Sequence, residues 1–322
     1  MQFQGQGKPP VGVVFDCDMG NTIDDALALA LLYGLQGKNT IRVISVSVSK
    51  PNLKAAEYCD VVTRFYMGEP GGFFAPAPIG LALAPRMDPD SAMVAAPLAR
   101  QTAEGKPQYS CGISKLNDTA DPIAQIRNAL TAQFDQNAVV VLTGPATNLA
   151  GVLELPGTRE LIAKKVKFLC AADFGRDLSA ARKVLAEWPT PIVYAGPELG
   201  DSLPFPGASI ERDFTWSPAH PIVDAYRAYK PMPYDAPSWA MTAVLHAARP
   251  AESDFKLSDP GTLAVLDDGR IRFTPSPQGK HRQLIFDSGQ KDKIIQLYTE
   301  LASAKPVPRQ PRFRPDVKKK QE

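Results

Sequence analysis

The chain of 322 residues carries 36 Lys and Arg against 34 Asp and Glu, a net charge of +2, with 44% hydrophobic residues. That length and apolar content suffice for one large α/β domain or two small ones with a full core. The near-neutral charge gives no reason to invoke a nucleic acid or an anionic membrane as partner, and the longest apolar segment, Ala26 to Leu32, is far short of the roughly 20 residues a membrane span needs.

In chain order, MQFQGQGKPP lacks the charged-then-apolar plan of a signal peptide, so the default expectation is a cytoplasmic protein with a flexible start over residues 1–10. VGVVFDCD reads as the first strand and DDALALALLYGL as the first helix, followed by the strand IRVISVSVS and a helix from Leu53 to about Met67. APAPIG holds a short strand, and the Pro-, Ala- and Gly-rich stretch over residues 81–121 has no legible structure. A helix from Asp121 to about Phe134 precedes the strand AVVVLTG, a short helix from Ala146, the strand KVKFLCAAD, a helix over Leu178–Glu187 and the strand PIVYAG. Strands alternating with helices predict a doubly wound, mostly parallel α/β sheet.

Beyond Gly200 the pattern changes to proline-rich connections, helices over Pro221–Tyr229 and from Trp239 to His246, and GTLAVLDDGRIRFTP, where two alternating runs flank Asp-Asp-Gly as in a hairpin. This C-terminal part is expected to be a helical and hairpin elaboration of a single domain over residues 11–304. Residues 305–322 end in RQPRFRPDVKKKQE, a basic, Pro-rich tail with too little apolar surface to fold. Cys17, Cys59, Cys111 and Cys170 show no paired spacing and are expected to be free, buried thiols. His220, His246 and His281 are expected to be structural or surface residues.

The chemistry concentrates in FDCDMGNTIDDALALA. Asp16 and Asp18 stand at the end of the first strand, while Asp24 and Asp25 open the following helix, where the dipole favours carboxylates. In an open α/β sheet, ligands sit beyond the carboxyl ends of the strands. Four carboxylates within ten residues repel one another, and a bound hard cation, Ca²⁺ or Mg²⁺, relieves this most simply.

The run D-C-D-M-G-N-T-I-D-D-A resembles the N-terminal signature of the inosine-uridine-preferring nucleoside hydrolases, with two extra residues between the glycine and the aspartate pair. LTGPATNLA, residues 142–150, resembles that family's second motif at the end of a central strand. The likeness continues weakly through SWAMTAVLHA and the closing hairpin. It implies a hydrolase that cleaves the N-glycosidic bond of a ribonucleoside or related riboside for purine or pyrimidine salvage. Asp18, Asp25 and the Thr143 carbonyl would hold calcium, Asp24 would take a proton from water, and Asp16 would support the ligand set. It leaves homo-oligomerisation open.

Three departures stand out. The family's last calcium-ligating aspartate falls on Ala240, with Asp235 as the obvious substitute, and the histidine before it is Trp239, a candidate to stack on a base. The loop that holds the ribose hydroxyls is nearly absent after KVKFLCAAD, leaving Asp173 as a candidate. The ribose-contacting asparagine after the second strand falls on Lys50, with Asn52 two residues on. Two alternatives follow: a catalytically impaired nucleoside- or ribose-binding member of the same fold, and a haloacid dehalogenase-like phosphatase with Asp16 as nucleophile and Asp18 as acid.

Overall fold

The computed structural model describes residues 9–67 and 78–306. The expected start over residues 1–10 and tail over 305–322 therefore lie almost wholly outside the described residues, as does the first half of APAPIG, whose second half leads into the expected short strand.

The first strand, β1 (Val11–Cys17), leads into α1 (Ile23–Gly37), β2 (Ile41–Val48), α2 (Leu53–Met67) and β3 (Ile79–Leu81). After α3 (Ala92–Ala99), which lies in the stretch whose pattern was illegible, come α4 (Pro122–Thr131), β4 (Ala138–Leu142), α5 (Thr147–Glu154), α6 (Thr158–Lys165) and β5 (Val166–Ala171). Next are α7 (Leu178–Glu187), β6 (Ile192–Tyr194), α8 (Pro197–Ser202), α9 (Gly207–Arg212), α10 (Pro221–Tyr229) and α11 (Trp239–Ala248). The chain closes with β7 (Lys256–Leu257), β8 (Gly261–Val265), β9 (Ile271–Pro275), β10 (Arg282–Ile285) and α12 (Lys291–Ala302).

One sheet of eight strands has the order β3-β2-β1-β4-β5-β6-β10-β7, and only the edge strand β7 runs antiparallel within it. Its central strands are buried on both faces, which is why β1 and β4 read as continuous apolar runs. Val13, Phe15 and Cys17 of β1 belong to a core shared with α1, α2, α10, α11 and α12. Val14 belongs to a second core shared with α4, α5, α6 and α7, so helices cover both faces. The C-terminal part is more than the elaboration expected from the sequence. It places β10 beside β6 in the main sheet, and α11 and α12 pack on α1. Only the β8–β9 hairpin stands apart as a separate two-stranded sheet.

Helix α1 is buried from Ile23 through Gln36, as expected of a helix packed on all sides. Gly34 lets α12 approach it, because a Cβ there would run into the Leu301 carbonyl. Exchanging a helical glycine for alanine ordinarily gains about 1 kcal/mol, whereas overpacking costs about 1–3 kcal/mol. With backbone as the obstacle the second effect wins. Gly34→Ala is therefore expected to lower the unfolding midpoint in a denaturant titration, and an unchanged or higher midpoint would refute this packing.

The chain builds β1, β2 and β3 outward in one direction and β4, β5 and β6 in the other, so the topology reverses between β1 and β4. A crevice opens at the carboxyl ends of strands at such a point. Asp16 is in register with Leu142 there, which brings the two motifs side by side. No helix among the described residues is long and apolar enough to cross a membrane.

Candidate active site

A cavity of about 980 Å³ lies beyond these strand ends. Asp18, Asp24, Asp25 and Thr143 line its floor, Asp173 and Trp239 stand on its walls, and residues 266–273 of the β8–β9 hairpin form its rim. His220, His246 and His281 are buried and line no part of it. The cysteines are all free, but Cys111 is exposed, contrary to the expectation of burial for all four.

Two side-chain bonds tie the motifs together. Thr143 Oγ1 donates to Asp25 Oδ1 at 2.7 Å, and Asn148 Nδ2 donates to Asp16 Oδ1 at 2.8 Å. Ser47 Oγ donates to the same Asp16 oxygen at 2.7 Å, while Asp16 Oδ2 is buried without a hydrogen-bond partner. Burial pushes the Asp16 carboxyl up to about 7, against the lowering effect of Ser47 and Asn148. Asp16 is fully buried and does not line the cavity, a placement that gives no support to the nucleophile role of the phosphatase reading.

Asp18 is partly exposed at the cavity floor. Asn21 Nδ2 donates to its Oδ2 at 2.5 Å, and Lys50 Nζ donates to Asn21 Oδ1 at 2.8 Å, so Lys50 supports the Asp18 loop without lining the cavity. Gly144 permits the close approach of the Thr143 loop, since a Cβ there would press on the Asp18 backbone and side chain. The Asp18 and Asp25 carboxyl groups stand close enough to influence each other's charge. Burial first, and for Asp25 the neighbouring Asp18 charge second, holds both above the usual carboxylate range.

Asp24 is held differently. Its Oδ2 accepts the Ala240 backbone N–H and its Oδ1 the Met241 N–H at 3.4 Å, so it takes up free amides at the start of α11. Burial pushes it up to about 7 despite these amides.

The remaining expected residues divide. Asp173 lines the cavity and its Oδ1 accepts its neighbour Phe174 N–H at 2.7 Å, while Trp239 lines it with Nε1 donating to Asp201 Oδ1 at 2.9 Å. Asn52 does not reach the cavity: it is buried, donates to Asp88 and Asp90, and accepts the Ala55 N–H near the start of α2. Asp235 also lies elsewhere, exposed and accepting the Gly207 N–H at 2.8 Å at the start of α9. It is held there by a local capping bond, so Asp235→Asn is expected to leave ligand and cation binding unchanged in calorimetry. Asn148 stands inside the second motif, whereas Tyr194 of β6, Gln283 of β10, Arg176 between β5 and α7, and Arg270 and Arg272 of the rim carry no local signal in the sequence.

Among the described residues, no group of three or more His, Cys, Asp and Glu side chains is arranged to hold a metal ion. The donors that do converge suit a hard cation in part: Asp18 and Asp25 are crowded, and Asp25 Oδ2 is buried with no hydrogen-bond partner. Ala240 offers no side-chain oxygen.

No family model and no curated protein matches the sequence. Solved structures do match over nearly their whole length. An inosine-uridine preferring nucleoside hydrolase from Bacillus anthracis superposes with a TM-score of 0.62 at 17% identity, covering 91% of this chain and 99% of that one. The fold is that of the nucleoside hydrolases. An inosine-guanosine nucleoside hydrolase gives a TM-score of 0.64 at 15% identity, with 91% and 99% covered. The type III effector XopQ, solved in complex with adenosine diphosphate ribose, gives 0.63 at 14%, with 94% and 96% covered. On the nucleoside hydrolase fold, this chain keeps its crowded aspartates at the reversal point of the sheet.

Proposed function

We propose that the protein is a hydrolase of N-ribosides, cleaving the bond between a ribosyl anomeric carbon and a base nitrogen. The observation that carries this reading is the joining of the two motifs, through Thr143 to Asp25 and Asn148 to Asp16, beneath a cavity in a nucleoside hydrolase fold. Asp18, Asp25 and the Thr143 carbonyl would hold Ca²⁺, or Mg²⁺ in its place. When bound, such a cation acidifies water and draws hydroxyl groups into position.

The roles of the aspartates follow from their partners. Asp24, fixed by the α11 amides, is a poor proton carrier and a good rigid acceptor for ribose hydroxyls. Asp18, partly exposed on the cavity floor, is better placed to take a proton from water, so we propose Asp18 as the base in preference to Asp24. Water oxygen bonds to the anomeric carbon, the carbon–nitrogen bond breaks through an oxocarbenium-like transition state, and its electron pair leaves with the base. The water proton passes to Asp18. Trp239 and Asp173 flank the ligand. A second reading, riboside binding without efficient turnover, is favoured by Ala240, which withholds a side-chain oxygen from the centre.

The test is release of free ribose and free base from a panel of ribonucleosides, with Ca²⁺ and after chelation. Release suppressed by the chelator supports the first reading. Nucleoside binding without release supports the second.

A further inference from the structure

Charge is sorted within the cavity. The buried Asp24 and Asp25 and the partly exposed Asp18 occupy the floor, whereas the arginines Arg176, Arg270 and Arg272 are exposed at the edge. Two hairpin carboxylates are already neutralised: Asp268 pairs with Arg270 at 2.7 Å and Asp267 with Arg182 at 2.6 Å. Arg176 and Arg272 have no carboxylate partner among the described residues.

Both are set in place by the backbone. Gly175 has φ +66° and a Cβ there would strike Pro145, so the turn bearing Arg176 is pressed against the loop that carries Thr143. On β9, Ile271 and Phe273 pack against the core, and Arg272 stands exposed between them at the cavity edge. The cavity volume, about 980 Å³, is near the top of the roughly 300–1,000 Å³ usual for ligand pockets.

We infer that the ligand is a phosphate-bearing riboside, its ribose on the aspartate floor and its phosphate at the rim between Arg176 and Arg272. Guanidinium groups match phosphate oxygens in bidentate geometry. The acidic floor and the unpaired Asp173 and Glu198 on the walls repel a phosphate from the inner part and set the orientation of the ligand. This inference rests on the riboside reading above and narrows its substrate class.

The experiment is calorimetric binding of adenosine, inosine and uridine beside their monophosphates and ADP-ribose, repeated with Arg176→Gln, Arg272→Gln and Arg270→Gln. Phosphate esters are expected to bind about tenfold more tightly than the parent nucleosides. That ratio is expected to collapse toward one in the Arg176→Gln, Arg272→Gln double variant. It should change less in Arg270→Gln, where Asp268 already neutralises the charge. Preference for monophosphates and for ADP-ribose separates a terminal phosphate from a diphosphate bridge, and either supports the inference. Nucleosides bound or cleaved with no gain from phosphate would overturn the inference and leave the riboside reading standing. Phosphate esters bound through the arginines without ribose release would support the inference and remove the hydrolase. Binding of none of these ligands would overturn both.

Discussion

Asp18→Asn is expected to lower ribose release by about 10²–10⁴-fold while leaving the protein, compared in chelator, as stable as the wild type or more so. The size is that of removing a positioned general base. Stability should survive because asparagine keeps the size of the side chain and an oxygen to accept the Asn21 donor, and it removes one of two carboxylates pressed together beside buried Asp25. Asp24→Asn loses one of the two oxygens that meet the α11 N–H groups, but it also removes a charge that burial disfavours, so at neutral pH its stability is expected to stay near the wild-type level or above it. Steady-state kinetics with thermal unfolding therefore assigns the rate loss at Asp18 to chemistry and not to unfolding. Near-wild-type turnover in Asp18→Asn would return the proton to another group.

The second large effect is on stability against pH. Asp16 is pushed up to about 7 in the fold by burial, from an ordinary value of 3.8. Because the folded state holds this proton more tightly than the unfolded one, the contribution is fully present below about pH 3.8. It is lost as pH rises to about 7. A change of that size is worth roughly 4 kcal/mol. In Asp16→Asn the amide oxygen can still accept from Ser47 and Asn148 and no charge develops. Its stability relative to wild type should therefore rise steadily between about pH 4 and 7 and level off above. Denaturant unfolding of both proteins across that range in chelator measures it. A flat difference would mean that Asp16 is ionised in the fold at ordinary cost.

The alternation of apolar strand runs with periodic helices made the sheet legible, because strands buried on both faces leave continuous Val and Ile signatures. The two motifs were legible for the same reason that they meet: each sits at the carboxyl end of a central strand, and register does the rest. What escaped depends on distant chain segments. That α11 would direct its first amides at Asp24 cannot be read from either segment. Nor does Asp235, near position 240 in sequence, show that it serves α9 instead. The rim arginines acquire meaning only when the hairpin is placed over the strand ends and its own aspartates are found to be paired.

On the proposed function, Asp18, Asp25 and the strand end at Thr143 would together hold one cation. Calorimetric titration of the chelator-treated protein with Ca²⁺, for wild type and Asp25→Asn, tests it most directly. One site per chain is expected in the wild type, abolished in Asp25→Asn. Absence of binding in the wild type, or binding unchanged in the variant, would contradict it.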